Sequence, residues 1–392
     1  MGIDGLNKLF ERHSQNSNIS CRVSQLTGYR IAIEMGCLMY AHMSPSFNRV
    51  VNQTDIITYG IDQKQVFVNW AKSILSALSK FLRLGVTPVL VFDGPPRPEK
   101  IKTVTKRADD KKPRMQLAQE KLQALRQKNI LAVTPLELKE LRTLWQNCYY
   151  VSHDLVSQLK NMCYCLGFPV LQAKYDAEQL CASLAIDGLV LGTYTNDTDA
   201  YTFGTPWVYS KMESIDNGDL LLQARNLNTI LSDLQMTQSS FVDMCILAGC
   251  DYNTKPDKYR VSSLTSFKEM KKYGEHTKMP NKFHQEELNI DCCRRIFSYV
   301  KPEDFTDDKI VVDVQPNNIT DLTDALMAEY DMMDYKTMIV THLNSIKSSS
   351  SVPPSDNLKY VPPRKKPGFI LIFEDESSLA ASSSGGNSST IH

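Results

Sequence analysis

Three short apolar runs in this chain lead into carboxylates. Ile31-Ala32-Ile33 runs into Glu34, and Val89-Leu90-Val91-Phe92 runs into Asp93. Leu189-Val190-Leu191-Gly192-Thr193-Tyr194 leads to Asp197-Thr198-Asp199. Near-continuous apolar runs of this length read as strands buried on both faces of a parallel sheet. In an open α/β sheet the carboxyl ends of the strands line one crevice, where ligands bind. Two further acidic groups, Asp176-Ala177-Glu178 and Gly249-Cys250-Asp251, open or follow helical patterns. Acids distant in sequence can therefore converge. At about 4 Å and an effective dielectric near 20, each like-charge pair repels by roughly 4 kcal/mol. Such a cluster requires cations, and an all-oxygen donor set suits Mg²⁺ or Mn²⁺ rather than zinc.

The alternation of strands and helices points to an α/β fold with a central, mostly parallel sheet flanked by helices. The first strand is expected at Arg30–Glu34. Phe67, Trp70, Ala71, Ile74, Leu78 and Phe81 then recur at helical spacing, Gly85 ends that helix, and a strand to Asp93 completes a βαβ-like unit. Residues 94–150 interrupt the alternation with a charged helical excursion, in which Thr134-Pro135-Leu136-Glu137 reads as a capping box opening a helix to about Trp145. Strands are expected again at Phe168–Leu171, near Val190 and at Thr205–Tyr209. Helices are expected from Asp176 and over Ser239–Ala248. This divides the chain into 1–107 and 151–255 as the sheet-bearing regions, with a helical insertion at 108–150. A polar, basic helical region follows at 256–347. The Ser/Pro-rich tail of 348–392 cannot bury a core and is expected to be disordered; it contains the apolar island Phe369-Ile370-Leu371-Ile372-Phe373.

The 44 basic residues balance the 44 acidic ones, so the whole molecule does not advertise a polyanionic partner. The charge is unevenly spread, however. Arg97, Lys100, Lys102, Lys106, Arg107, Lys111 and Lys112 crowd the stretch after Asp93. Lys255, Lys258, Arg260, Lys268, Lys271, Lys272, Lys278 and Lys282 form a second cluster. The ten cysteines lack zinc-type spacing and read as reduced, mostly buried thiols of an intracellular protein. No apolar run is long enough to span a membrane, and no signal-peptide pattern opens the chain.

A single acid after a strand is usually a turn or cap residue; acids at so many strand and helix ends are harder to dismiss. The specific element is Asp197-Thr198-Asp199-Ala200-Tyr201-Thr202-Phe203-Gly204. With Met1-Gly2-Ile3, Gly5-Leu6, Val91-Phe92-Asp93-Gly94, Ala177-Glu178 and Phe241–Tyr252, the chain resembles the flap endonucleases and their XPG-type relatives, the 5′ structure-specific nucleases. The resemblance covers roughly residues 1–255. It implies a PIN-like nuclease core that hydrolyses DNA phosphodiesters with two Mg²⁺ ions, Mn²⁺ substituting. The implied metal ligands are Glu34, Asp93, Asp176, Glu178, Asp197, Asp199 and Asp251. Lys100 and Arg107 match the basic pair at the foot of the family's helical arch and would stabilise charge on the scissile phosphate. Tyr40 stands where the family stacks an aromatic on a base, although it also fits an amphipathic helix with its ring in the core. Gly2 matches a glycine that lies against DNA. The 94–150 excursion corresponds to the arch and cap, and the C-terminal basic region to the element that holds duplex.

The chain departs from the pattern at Glu34, where the family has Asp, and at Asp176, where it has Glu. The family's glycine hairpin is replaced by Lys258-Tyr259-Arg260-Val261-Ser262-Ser263-Leu264. Close backbone approach to phosphate is harder without glycine, so duplex binding falls to side-chain Lys and Arg. The expected activity is a 5′ flap endonuclease and 5′–3′ exonuclease in replication, repair or recombination. Its partners are DNA with a 5′ flap, nick or branch, and replication proteins, without a recognisable sliding-clamp box. The expected location is the nucleus or, for a viral protein, the site of viral DNA replication. The competing readings are a catalytically weak or inactive DNA-binding relative and a PIN-type metal-dependent ribonuclease.

Overall fold

The computed structural model describes residues 2–349, apart from 129–131, 147, 216–217, 254–260, 281–282 and 284–285. Seven strands form one sheet: β1 (Asn18–Arg22), β2 (Arg30–Glu34), β3 (Thr87–Phe92), β4 (Val170–Gln172), β5 (Thr193–Tyr194), β6 (Trp207–Ser214) and β7 (Leu220–Asn226). Their spatial order is β1-β7-β6-β5-β2-β3-β4. The five strands from β6 to β4 are parallel, and β7 and β1 extend the sheet antiparallel. The mostly parallel α/β architecture is therefore as expected.

Both faces of the central strands are buried, which explains their continuous apolar character. Ile31, Ile33, Leu90 and Phe92 enter one core with the helices Met35–Gln53 and Gln63–Arg83. Ala32, Val89, Val91 and Leu171 enter another, against the helix Ala177–Ile186. Side chains alternate along a strand, so Glu34 shares the face of Ala32 and Asp93 continues that of Val89 and Val91. In the β2–β3 register Glu34 lies opposite Val91, two residues before Asp93. Strand parity thus delivers both acids to the side from which Asp176 and Glu178 project.

Several boundaries differ from the sequence reading. The strand expected near Val190 is only Thr193–Tyr194, because the Leu189 and Val190 N–H groups still donate to the Leu184 carbonyl at the preceding helix end. The strand expected at Phe168–Leu171 is Val170–Gln172, and the one expected at Thr205–Tyr209 runs from Trp207 to Ser214. Strands β1 and β7 were not anticipated. The excursion after Asp93 forms the helices Ile101–Asp109, Lys112–Arg126 and Pro135–Trp145. The last opens on the expected capping box: Thr134 accepts from the Glu137 N–H, and the Glu137 carboxylate accepts from the Thr134 N–H.

The chain after Asp251 divides among three cores, and Phe305 joins the one around Ala32 and Val89. The helices Ser263–Tyr273 and Ile290–Ile296 pack with Gln238–Ala248 and Leu6–His13. The helix Met333–Ser349 instead places Ile339, Leu343 and Ile346 in the first core. It extends two residues into the stretch expected as tail. Residues 350–392, with the Phe369–Phe373 island, lie outside the described residues. Among the described residues no helix is long and apolar enough to cross a membrane. All ten cysteines are free and most are buried.

Because Leu343 is fully buried, Leu343→Ala should lower stability by about 2–5 kcal/mol in urea unfolding with little change in m-value. A loss under about 0.5 kcal/mol, the range of surface substitutions, would show that the last helix does not belong to the core.

Candidate active site

Six of the acids named from the sequence gather at the carboxyl ends of β2, β3 and β5 and at the start of the helix Ala177–Ile186, and Asp251 follows the helix Gln238–Ala248. Glu34, Asp176, Glu178, Asp197 and Asp199 are buried, whereas Asp93 opens to solvent at the mouth. Glu34 ends β2 and also caps the following helix. Its Oε1 accepts from the Cys37 N–H at 2.8 Å, and its Oε2 accepts from Thr195 Oγ1 at 2.6 Å. Asp93 Oδ1 accepts from the Ala177 N–H at 2.8 Å. Thr195 Oγ1 accepts from the Asp197 N–H at 2.8 Å, and Asp197 Oδ1 accepts from the Asp199 N–H at 3.1 Å. Backbone N–H groups at helix starts favour negative charge, and they fix the direction of these carboxylates.

The cluster is nevertheless short of positive charge. Burial, and next the nearby Asp93, push the Glu34 carboxyl up to about 8 despite its hydrogen bond from Thr195. Burial holds Glu178 well above the usual carboxylate range, with Glu34 and Asp93 adding to the effect. Burial and the neighbouring Asp197 do the same to Asp199. Two buried oxygens, Glu178 Oε2 and Asp199 Oδ1, have no hydrogen-bond partner. A Cβ on Gly36 would come within 2.7 Å of Glu34 Oε1 and 2.9 Å of Asp93 Oδ2, so the glycine keeps open the space between those two acids.

This donor set fits hard divalent cations: all oxygen, mutually repelling, with orphaned lone pairs. Among the described residues no three acidic, His or Cys side chains close to a spacing that would itself hold an ion. The reason is visible in the partners. Asp176 and Asp251 turn to basic side chains, while Glu34, Asp93 and Asp197 turn to hydroxyl or backbone donors, as uncompensated carboxylates must.

The cations come from the stretch after Asp93. Lys100 Nζ lies 2.6 Å from Asp176 Oδ1 and 3.8 Å from Asp251 Oδ2. Burial alone would push its ammonium down, but Glu178, Asp176 and Asp251 outweigh it and hold it well above the usual lysine value. Arg107 Nη2 lies 2.7 Å from Asp251 Oδ1, and Thr103 Oγ1 donates to the Asp251 carbonyl at 3.1 Å. Lys100, Thr103 and Arg107 recur at helical spacing, so one face of the helix Ile101–Asp109 rests on Asp251. Thr103 was not singled out in the sequence; the same i, i+3, i+7 spacing could have found it.

The other expected residues also lie near the cluster. Gly2 has φ +86°, and a Cβ there would strike the Asp197 carboxylate and Thr198. The Ile3 N–H donates to Thr198 Oγ1 at 2.8 Å, which fastens the N-terminal segment beside Asp197. Tyr40 is 43% exposed, so its ring is not a core ring; Lys111 Nζ lies 5.8 Å from its centre. In the second basic cluster, Lys268, Lys271 and Lys272 are exposed on the helix Ser263–Tyr273. Lys255, Lys258, Tyr259, Arg260 and Lys282 lie outside the described residues, while Val261 and Ser262 lead into that helix.

The XPG N-terminal domain family model matches residues 1–114 and the XPG I-region model matches residues 167–251. Flap endonuclease 1 of Cryptosporidium muris is 29% identical over 320 residues, covering 79% of this chain and 63% of that protein. Its Cryptosporidium parvum counterpart is 54% covered, so the chain spans less than two thirds of both relatives. Flap endonuclease 1 of Entamoeba dispar is 27% identical over 79% of each chain. The fold is shared with flap endonuclease-1 from Methanococcus jannaschii (TM-score 0.56, 18% identity, covering 85% of this chain and 97% of that one). It is shared too with the catalytic core of Rad2 in complex with DNA substrate (TM-score 0.54, 15% identity, covering 86% and 100%). The two matched regions carry all seven acids and the Lys100–Arg107 stretch between them, and on that ground the chain belongs to the XPG-type flap nuclease family.

Proposed function

We propose that this chain is a divalent-metal-dependent 5′ flap endonuclease and 5′–3′ exonuclease. It acts on DNA flaps or branches in replication, repair or recombination. The observation that carries the reading is the buried acid cluster, with Glu178 Oε2 and Asp199 Oδ1 unpartnered, directly beside Lys100 at the foot of three arch helices. A scaffold that only bound DNA would have no need of such a destabilising group of carboxylates.

Glu34, Asp93, Asp176, Glu178, Asp197, Asp199 and Asp251 would hold two Mg²⁺ ions, or Mn²⁺. When bound, such ions supply an activated water and stabilise the charge of the leaving oxygen. The chain's own side chains prepare the site. Thr195 and the Cys37 N–H fix Glu34. Lys100 and Arg107, held here by Asp176 and Asp251, are placed to meet a phosphate arriving over the cluster. Tyr40 offers an exposed ring for a base at the same mouth, and Gly2 lets a nucleic-acid backbone pass close to Asp197. The arch accepts a single-stranded 5′ end, and Lys268, Lys271 and Lys272 grip the duplex backbone.

The test is cleavage of labelled 5′-flap, nicked, duplex and single-stranded substrates, each as DNA and as RNA, with Mg²⁺, Mn²⁺ or EDTA. Flapped DNA should be cut only with metal. Asp199→Asn should lose at least the roughly 10- to 100-fold that removal of a mere supporting group costs. Full activity in Asp199→Asn would refute the site. Cleavage of RNA alone would make the chain a ribonuclease, and no cleavage with either metal would leave a binding protein.

A second prediction concerns stability. The Glu34 carboxyl is raised from 4.5 to about 8 in the folded chain. Between those values the unfolded chain loses this proton and the folded chain keeps it, so stability falls as pH rises through the window. In EDTA the midpoint of thermal unfolding should therefore drop between about pH 5 and pH 8, and Glu34→Gln should flatten part of the drop. Mn²⁺ should raise the midpoint more at the higher pH, because it binds the ionised acids of the folded state. A Mn²⁺ effect equal at both pH values would rule out the cluster as its site.

A further inference from the structure

Arg97 belongs neither to the acid cluster nor to the Lys100–Arg107 pair, yet its side chain is only 14% exposed. Nε donates to Asp176 Oδ2 at 3.0 Å, and Nη2 donates to Gln179 Oε1 at 2.5 Å. The guanidinium centre lies 4.4 Å from the Tyr175 ring centre and 5.4 Å from that of Phe305. The Gln179 amide in turn donates to the carbonyls of Ile296 at 3.0 Å and Ser298 at 3.2 Å. A continuous chain of contacts thus runs from an active-site carboxylate to the segment 296–305.

The carboxylate at its end needs such support. Asp176 occupies the N-cap of the helix Ala177–Ile186 but makes no side-chain cap bond, so the helix does not fix its rotamer. Its two oxygens are divided between two cations from one short stretch: Oδ1 goes to Lys100 and Oδ2 to Arg97. Lysine is a flexible point charge, whereas arginine is a planar fork that stacks on rings. With aromatic rings against its guanidinium and a glutamine anchor at Nη2, Arg97 is the rigid member of the pair. We propose that Arg97 is a positioning residue for Asp176: by holding Oδ2 it turns Oδ1 toward Lys100 and the acid cluster. This rests on the nuclease reading above.

Opposed effects follow from removing it. Asp176 can then rotate and Lys100 loses a fixed partner, so catalysis declines. The positive charge beside the cluster also falls and a second Asp176 oxygen is freed, so a divalent cation binds more tightly. A simple folding defect would weaken both.

The experiment uses the full chain as wild type, Arg97→Ala, Arg97→Lys, Asp176→Asn and the Arg97→Ala/Asp176→Asn double variant. It measures kcat and KM on flapped DNA, and Mn²⁺ binding to DNA-free protein by calorimetry. Arg97→Ala should lower kcat about 10- to 100-fold, with KM within about twofold, and tighten Mn²⁺ binding about two- to fivefold. Arg97→Lys keeps the charge but cannot span Asp176 and Gln179 together; it should lose part of the rate and carries the test if the alanine variant does not fold. In the Asp176→Asn background Arg97→Ala should lower kcat no further and should tighten Mn²⁺ binding less than it does with Asp176 present, since only the effect of the lost charge remains. Unchanged kcat in Arg97→Ala, weakened Mn²⁺ binding, or effects that multiply with Asp176→Asn would overturn the proposal. The Mn²⁺ measurements need no cleavage. Absence of all cleavage therefore overturns the nuclease reading, and uncoupled Mn²⁺ binding overturns this one.

Discussion

Glu34, Glu178, Asp197 and Asp199 are held together out of water, and like charges so placed repel strongly while losing hydration. The surrounding structure is arranged to offset that cost in part. Backbone N–H groups of Cys37, Ala177 and Asp199 point at carboxylates. Lys100 reaches between Asp176 and Asp251. The sheet beneath is buried on both faces, so the acids cannot easily move apart into solvent. What these contacts leave unbalanced, in the raised Glu34 and Glu178 carboxyls and the orphaned oxygens, is negative charge that a cation would offset.

The helices that follow Asp93 show the opposite balance. The helix Ile101–Asp109 buries no residue, and Lys112–Arg126 buries only Ala118 and Leu125. Packing gives the helix Ile101–Asp109 little stability, so its placement depends on Lys100, Thr103 and Arg107 meeting Asp176 and Asp251, whereas Leu125 and Leu141 anchor the next two helices in the first core. Segments with few buried apolar contacts open at low free-energy cost. A phosphate that competes for Lys100 and Arg107 would therefore act on the helix Ile101–Asp109 as well as on the site.

How far the sequence could be read depended on whether the signal was local. Strands β2 and β3 announce themselves because burial on both faces leaves Ile31-Ala32-Ile33 and Val89–Phe92 without a polar position, and the acids follow directly. The antiparallel pair β6–β7 carried its own signal, since Asn217-Gly218 is a hairpin-type dipeptide between apolar segments, and Leu220, Leu222 and Ala224 alternate inward. Arg97 could not be distinguished from its basic neighbours by charge. Its role lies in contacts 79 and 82 residues away, and in a ring, Phe305, beyond the segment that carries the motifs. The helix Met333–Ser349 likewise shows an apolar stripe without naming the core it enters. Periodicity states that a face must be covered but not by what.

Glu34 shows why fold and site cannot be separated here. It is the last residue of β2, the N-cap of the helix Met35–Gln53 and a member of the acid cluster. One carboxylate oxygen serves the helix and the other meets Thr195. Ionisation strengthens the cap, because a negative charge at a helix start is favourable, yet it worsens repulsion within the cluster. Protonation reverses both effects. A cation at the cluster removes the conflict: it allows the charged form that the helix start prefers and cancels the repulsion that opposes it. The start of one of the principal core helices thus shares a side chain with the acid cluster.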